Sequence, residues 1–358
     1  MERRVTQSDV ARRAGVTRPA VTMALRGHPS IPLATQERIR RIAEEMGYVP
    51  DPMLSALASY RSTLRPASYH GTLAWLGNTL PPFDWREVSM FRAYYDGAVR
   101  RAASYGYNIE VFDFQAKGST PEKIAKAFRF RNIGGVLLTP QPGPSWELSF
   151  PWEHFSFVTF GYSLAKPALH TVAPTQFRAM MMTMRKLYEK GYRRIGFGCS
   201  FQVDERTDHH LLGGYLVEKA LVERKLTMPL FDEENADATL FKKWFLKHRP
   251  DAIVTGNPRL LQVVEEAGFR VPEDVGLACP TLPEPDIDFA GVYEDSFHMG
   301  ETAVDTLVGM IHRGERGIPE RPHYVHVPGL WLEGRTLRDM RPPEKTNAGT
   351  TKRSRRSS

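Results

Sequence analysis

The sequence predicts an α/β protein in which an N-terminal helix-turn-helix headpiece precedes a two-lobed body of parallel sheets. Three observations carry this reading. Apolar residues between Val5 and Met46 recur at helical spacing in three short segments, interrupted at Gly15 and closed at Gly47. From Gly71 on, short apolar runs alternate with helical patterns, as expected of parallel strands covered on both faces. After a break near Pro174 the alternation starts again, which implies a second sheet and therefore a second lobe.

The headpiece elements follow from caps and spacing. Thr6 with Asp9 three residues on resembles a capping box, and Gly15 supplies the left-handed stop that ends a short first helix. Thr17 caps a second helix, whose first turn tolerates Pro19 because amides there have no intrahelical partner. Val10, Ala14, Val16, Val21 and Leu25 fall where two steeply crossing helices bury them together. Arg18, Ala20, Thr22 and Met23 are left outward. A third helix, Leu33 to Met46, presents Ile39, Ile42, Ala43 and Met46 on one face. In such a unit the second helix fits the DNA major groove, with Arg18, Thr22 and Met23 as candidates to meet base edges.

Prolines 52 and 66 bound a short apolar segment, MLSALASYRSTLRP, that is too short to be a stable helix alone and needs a partner. The body then reads strand GTLAWLG, helix Met90 to Tyr105, strand NIEVFDF, helix Pro121 to Phe130, strand GGVLLT and strand FSFVTF. Past Pro174 come a helix through Met184 to Glu189, strand RRIGFG, and helices LLGGYLVEKALVE and LFKKWFLKH. Strand AIVTG, helix LLQVVEEAG and strand VGLAC complete the series. Ligands of open parallel sheets bind at the carboxyl ends of strands, so a cleft between the lobes is the expected small-molecule site.

At 358 residues the chain is long enough for two or three domains, and no apolar run approaches the length of a membrane span. The net charge of +7 is concentrated at the ends: residues 1–65 hold eleven arginines against six acids, and residues 338–358 hold seven basic against two acidic. The long middle is therefore slightly acidic, which suits a ligand-binding body, and phosphate contact falls to the ends. The chain opens on Glu2, Arg3 and Arg4 without the apolar stretch of a secretory signal, so a cytoplasmic location is expected. Cys199 and Cys279 each adjoin a strand-like run and read as buried thiols, with neither a disulfide framework nor a thiolate zinc site.

VTQSDVARRAGVTRPAVTMAL and TQERIRRIAEEMGYVPDP, followed in order by KGYRRIGF, DAIVTGN, RVPEDVGLA and EDSFHMGETAVDTL, make the chain similar to the lactose/galactose repressor family of bacterial transcription regulators. The resemblance runs to about residue 338. It implies a helix-turn-helix headpiece, a hinge helix, and a body like a periplasmic sugar-binding protein, with lobe crossings near Pro174, Asp295 and Tyr324. The domains would then be 1–50 (DNA binding), 51–66 (hinge helix and linker) and 67–338 (effector binding and dimerisation), with a basic disordered tail at 339–358. Lobe 1 would span about 71–173 and 294–323, and lobe 2 about 174–293 and 324–338.

The resemblance places Arg18, Pro19 and Met23 at base-reading positions and Thr17 and Thr22 near phosphates, with Thr6, Ala20 and Arg26 completing the DNA-facing set. Met23 stands where arginine is common, and methionine cannot make arginine's bidentate contact to guanine. Leu57 aligns with the leucine that related repressors wedge between bases at the operator centre. In the cleft, Leu211 replaces a ligand-clamping arginine, and Thr281 and Leu282 replace an acidic pair, whereas Asn257 matches a ligand-bonding position and Arg259 follows it. Either the effector is unusual, or the pocket is rebuilt around Trp75, Trp146, Tyr162 and Arg206. The partners implied are double-stranded operator DNA, a sugar-like effector and a second copy, paired through helices around Tyr94 to Ala102.

Asp204, Glu205, Asp208, His209 and His210 meet no metal-ligand spacing and read as a loop at the cleft rim. GFGCSF lacks the third glycine of a dinucleotide loop, and neither a phosphate loop nor a nucleophile elbow is present, so no cofactor and no catalysis are expected. The expected role is a homodimeric, effector-controlled regulator of transcription, with repression the expected mode. A solute-binding sensor with the same body is the competing class, and an enzyme on a parallel sheet is the second.

Overall fold

The computed structural model describes residues 5–25, 31–48, 71–80, 84–223, 227, 229–234 and 237–341. The headpiece is three helices: α1 (Gln7–Ala14), α2 (Arg18–Leu25) and α3 (Leu33–Glu45). None is long enough to persist alone in water, so packing must hold them. Val10, Ala14, Val21, Ala24, Ile39 and Ala43 are buried together, with Val16, Leu25 and Met46 against them. The α1 start is the expected reciprocal box: Thr6 Oγ1 accepts the Asp9 amide while the Asp9 carboxylate accepts the Thr6 amide. Gly15 at φ +66° stops the helix. Arg26, Leu57 and the whole expected hinge segment lie outside the described residues.

Lobe 1 is built on β1 (Gly71–Gly77), β2 (Tyr107–Asp113), β3 (Gly135–Leu138), β5 (Ser156–Phe160), β7 (His170–Pro174) and β13 (Tyr324–Val327). They form one parallel sheet in the order β13-β7-β5-β3-β1-β2. A two-stranded ribbon, β4 (Trp146–Glu147) with β6 (Leu164–Lys166), lies beside it. Lobe 1 also carries helices α4 (Ser89–Ser104) and α5 (Pro121–Phe130). Lobe 2 holds α6 (Gln176–Glu189), β8 (Ile195–Gly198), α7 (Phe201–Arg206), α8 (His210–Val222), β9 (Leu230–Phe231), α9 (Ala238–His248), β10 (Ala252–Thr255) and α10 (Leu260–Glu266). With β11 (Gly276–Leu282), β12 (Gly291–Tyr293) and β14 (Leu330–Leu332) its sheet runs β14-β12-β11-β10-β8-β9, and β14 is antiparallel to β12. Each sheet has its own buried clusters, so two cores are present.

Two features differ from the sequence expectation. Tyr324 to Val327 pair in register with Thr171 to Pro174, so residues 324–327 belong to lobe 1. The third crossing falls at Pro328 and Gly329 instead of Tyr324, because Pro328 has no amide with which to extend the ladder. A Cβ at Gly329 would lie 2.7 Å from the Tyr293 carbonyl oxygen, so only glycine lets the chain pass there. At the C-terminus the Met340 amide donates to the Lys190 carbonyl at 2.7 Å, which carries the body to Arg341, past 338.

Helix α4 lies against α11 (Ser296–Arg313) at backbone contact. A Cβ at Gly97 would sit 1.9 Å from the Phe297 carbonyl oxygen, and one at Gly300 would sit 1.9 Å from that of Tyr94. This contact buries Tyr94, Ala98 and Ala102 inside lobe 1, so pairing with a second copy through this helix would use its other face. The outward face of α4 is Arg92, Asp96, Val99 and Arg100. Both cysteines are buried free thiols, as expected. Among the described residues no helix is long and apolar enough to cross a membrane.

Candidate nucleic-acid interface and interlobe cleft

The headpiece presents one polar surface around the start of α2. Thr17 Oγ1 accepts the Ala20 amide at 3.4 Å and so caps the helix, while Thr17, Arg18 and Pro19 are exposed. Ala20, Thr22 and Met23 are half-buried. The Thr22 hydroxyl lies 2.9 Å from Gln7 Oε1 and 3.1 Å from the Arg18 carbonyl, which ties α2 to α1. That hydroxyl is therefore engaged in the scaffold, and Arg18 is the freest donor on the turn. Thr6 is exposed at the start of α1, where the helix dipole favours an anion and the Asp9 carboxylate already takes the Thr6 amide at 3.0 Å and hydroxyl at 2.6 Å. Arg12, Arg13, Arg38 and Arg41 add exposed positive charge, although Arg38 also donates to the Ala14 carbonyl at 3.1 Å.

The second candidate is the cleft into which the strands of both lobes point their carboxyl ends. On lobe 1, Asn78 follows β1 and Gln141 follows β3. The Asn78 amide donates to Gln141 Oε1 at 2.7 Å, the Gln115 amide donates to Asn78 Oδ1 at 3.0 Å, and Ser163 Oγ accepts the Gln141 backbone amide at 2.8 Å. Buried amides joined in this way hold one geometry. From lobe 2, Arg206 reaches across and donates to the carbonyls of Gln141 at 2.8 Å and Pro142 at 2.9 Å. It is a clasp between the lobes.

Beside the first crossing the lobes border an open cavity of about 290 Å³ lined by Tyr162, Thr175, Gln176, Phe177, Arg178, His210 and His326. Tyr162 hydroxyl lies 2.9 Å from His326 Nε2, and its ring meets His210 edge to face at 4.7 Å. Burial pushes the Tyr162 phenol up to about 12 and lowers the His210 imidazole, so both are neutral near pH 7. His210 Nδ1 is buried without a hydrogen-bond partner. Behind this cavity Glu294 is buried at the second crossing and accepts from the Gln176 amide at 3.3 Å; burial raises its carboxyl to about 7.

The lobe 2 wall carries Asn257, Arg259 and Thr281. Asn257 and Arg259 are exposed at the end of β10, with Asn257 Oδ1 accepting the Arg259 amide at 3.0 Å. Thr281 is half-buried, and its hydroxyl donates to the Gly256 carbonyl at 3.4 Å. Trp146 is half-buried on β4, and its amide donates to the Ser163 carbonyl at 2.8 Å. Trp75 is the expectation that fails. It is fully buried on β1 among Trp85, Tyr95 and Phe160, because its strand position points into the lobe 1 core. The acidic and histidine cluster at 204–210 is a helix junction: the Asp204 carboxylate accepts the Leu212 amide at 3.0 Å and sits 2.7 Å from His209 Nδ1. Among the described residues no three His, Cys, Asp or Glu side chains gather to hold a metal.

Asn78, Gln141, Gln176, His326 and Glu233 were not anticipated. Asn78 and Gln141 stand one and three residues past a recognised strand end, a signal available in the sequence. Glu233 follows the two-residue β9 and His326 lies in the four-residue β13, strands too short to show periodicity.

Residues 6–51 match the domain described as bacterial regulatory proteins, lacI family, and residues 184–335 match a periplasmic binding protein-like domain. The chain is 25% identical over 321 residues to the HTH-type transcriptional regulator MalR of Streptococcus pneumoniae, covering 86% of this chain and 93% of that protein. It is 26% identical over 221 residues to the HTH-type transcriptional repressor CytR of Escherichia coli K12, covering 60% of this chain and 59% of that protein. Its fold is similar to that of the transcriptional regulator CelR in complex with cellobiose: TM-score 0.56, 18% identity, 93% of this chain and 100% of the other. It is also similar to that of the lac repressor dimer bound to operator and the anti-inducer ONPF, with TM-score 0.54, 14% identity, and coverage of 93% and 99%.

Proposed function

This chain belongs to the lacI family of bacterial regulatory proteins and is a DNA-binding regulator of transcription, and we propose that it acts as a cytoplasmic homodimeric repressor released or recruited by a sugar-like effector. The observation that carries the DNA-facing part is the division of α2. Val21 and Ala24 lock one side into the headpiece core, while Thr17, Arg18 and Pro19 stand in solvent on its first turn. In this reading Arg18 and Met23 meet base edges, Thr6, Thr17 and Thr22 lie near phosphates, and Pro19 and Ala20 fit the helix to the groove floor. Two headpieces on one dimer would read a pseudo-palindromic operator.

The effector site is the interlobe cleft, with Tyr162, Arg206, Asn257, Arg259 and Thr281 as its candidate contacts and Trp146 at its margin. Neutral hydroxyl, amide and imidazole groups dominate these walls, which suits a polyhydroxylated compound gripped by hydrogen bonds. No chemical step is assigned to the cleft. The effector shifts operator affinity only by binding the open and closed lobes unequally.

Two measurements test the reading. A mobility-shift titration with the upstream DNA of the protein's own gene is expected to show specific binding that Arg18→Ala removes. A thermal-shift screen that includes cellobiose, other disaccharides and sugar acids is expected to find a compound that raises the melting temperature. A sugar response without any DNA shift would favour the solute-sensor reading.

A further inference from the structure

We infer that the effector carries an anionic group, a carboxylate or a phosphate, received in the cleft by the Nε and Nη2 edge of Arg206. The inference deepens the effector reading above and rests on it for the sugar-like part of the ligand alone. Arg206 ends α7 in lobe 2, and its Nη1 donates to the carbonyls of Gln141 and Pro142 in lobe 1. A guanidinium has five hydrogens, two of them on Nη1. The two carbonyls match that pair, so the group is held from one side. The Nε hydrogen and both Nη2 hydrogens have no partner among the described residues.

Other arginines of the chain show what this edge does. In Arg101 the Nε and Nη2 hydrogens grip Asp305 at 2.6 and 3.0 Å, in Arg270 they grip Asp274 at 3.0 and 2.8 Å, and in Arg313 they grip Glu315 at 2.5 and 3.0 Å. Each time two parallel donors meet the two oxygens of one carboxylate, the fork that a planar guanidinium favours. Arg270 and Arg313 are exposed, where an ion pair contributes little. Arg206 is half-buried, where a cation without a counter-charge is costly, and it has no carboxylate. Burial lowers its pKa with no acid opposing, whereas Arg101, Arg270 and Arg313 are raised by the acids they hold.

The acids around the cleft are engaged elsewhere. Asp204 accepts the Leu212 amide and lies against His209, and Glu294 accepts from Gln176. The Glu233 carboxyl accepts from the Thr255 hydroxyl across Gly198, where a Cβ would lie 2.5 Å from Glu233 Oε1. Glu205 and Asp208, on either side of Arg206 in the chain, are exposed. The counter-charge for Arg206 is therefore left to the ligand. Just past Pro142, a Cβ at Gly143 would lie 3.8 Å from the Trp146 indole, which sets an aromatic face for a sugar ring beside the carbonyls that hold Arg206. A ring with an acidic substituent, a sugar acid or a sugar phosphate, uses both. Its anion leaves the Nη1 bonds intact, so one guanidinium holds the opposite lobe with one edge and the ligand with the other, and binding favours closure.

The test titrates the full-length protein with gluconate, glucose 6-phosphate, inorganic phosphate and neutral glucose, in wild type and in Arg206→Lys, which keeps the charge and loses the fork. Calorimetry is expected to show at least one anion binding about tenfold or more tighter than glucose, and Arg206→Lys weakening that anion about tenfold or more. The Arg206 Nε resonance, assigned by its absence from Arg206→Lys, is expected to shift when the same anion is added. A preference for gluconate identifies a carboxylate as the group received, and one for glucose 6-phosphate a phosphate ester. Anions that bind Arg206→Lys as tightly as wild type, or that leave the Nε resonance unmoved, overturn the inference, and so does a panel in which no anion binds. A neutral sugar that binds where no anion does overturns it and keeps the effector reading. Inorganic phosphate that binds only with Arg206 present, without a response to any sugar, supports the anion site and counts against the sugar-like effector.

Discussion

Arg206→Met removes the clasp between the lobes while keeping most of the side-chain volume. In the structure one guanidinium nitrogen donates to two carbonyls of the opposite lobe, at 2.8 Å and 2.9 Å. A charged donor to a neutral acceptor is worth about 1.5–3 kcal/mol where the pair is dry. The site is half-buried, and on opening both carbonyls pass to water instead of being orphaned. We therefore take about 1 kcal/mol for each bond, about 2 kcal/mol in all, which is a factor of about 30 in the closed-to-open ratio.

The two cysteines of the chain are buried, so cysteines placed at Phe130 of lobe 1 and Leu246 of lobe 2, both exposed, can be labelled selectively. Single-molecule energy transfer between them should show one compact population in the parent and a second, more extended one in Arg206→Met. Operator affinity should change in the same samples, its direction showing which arrangement fits DNA. An unchanged distance distribution in Arg206→Met would refute the clasp, because these two bonds would then contribute nothing to closure.

Arg18→Ala should weaken binding to the specific DNA site by about tenfold or more and leave the thermal melt unchanged, since Arg18 is exposed and outside the headpiece core; filter binding at two salt concentrations with circular dichroism checks both. Gly300→Ala should destabilise lobe 1 by about 3 kcal/mol, because the added methyl would meet the Tyr94 carbonyl oxygen at 1.9 Å, a backbone atom that can yield only by parting α4 from α11. Urea denaturation reads the loss, and an Ala variant as stable as the parent would contradict the helix contact. Glu294 has its carboxyl raised by burial from 4.5 to about 7, so its favourable term is complete below pH 4.5 and is lost as the pH climbs to about 7. Melting temperature should therefore fall more steeply with rising pH across that window in wild type than in Glu294→Gln, by up to about 3 kcal/mol of stability.

How far the site could be read in advance depended on the range of the interactions involved. The Thr6 and Asp9 box, Gly15 and the Thr17 cap are contacts within four residues, and each appears as the sequence states it. The long parallel strands could be read for a similar reason, since burial on both faces demands unbroken apolar runs such as Trp75 to Gly77 and Val136 to Leu138. Trp75 shows where this stops. Its residue type suits a sugar face as well as a core, and only the sheet's neighbours decide which side of β1 it takes.

Local order therefore determined the headpiece, the α/β class and the division into two lobes, because caps, turns and periodicity are enforced by neighbours along the chain. Tertiary structure alone decided which groups meet in the cleft: Arg206 on carbonyls more than sixty residues earlier, Tyr162 on His326, and Glu233 on Thr255 across a glycine. Those partners are brought together by short strands and lobe crossings, and no periodicity along the chain records a contact between residues so far apart.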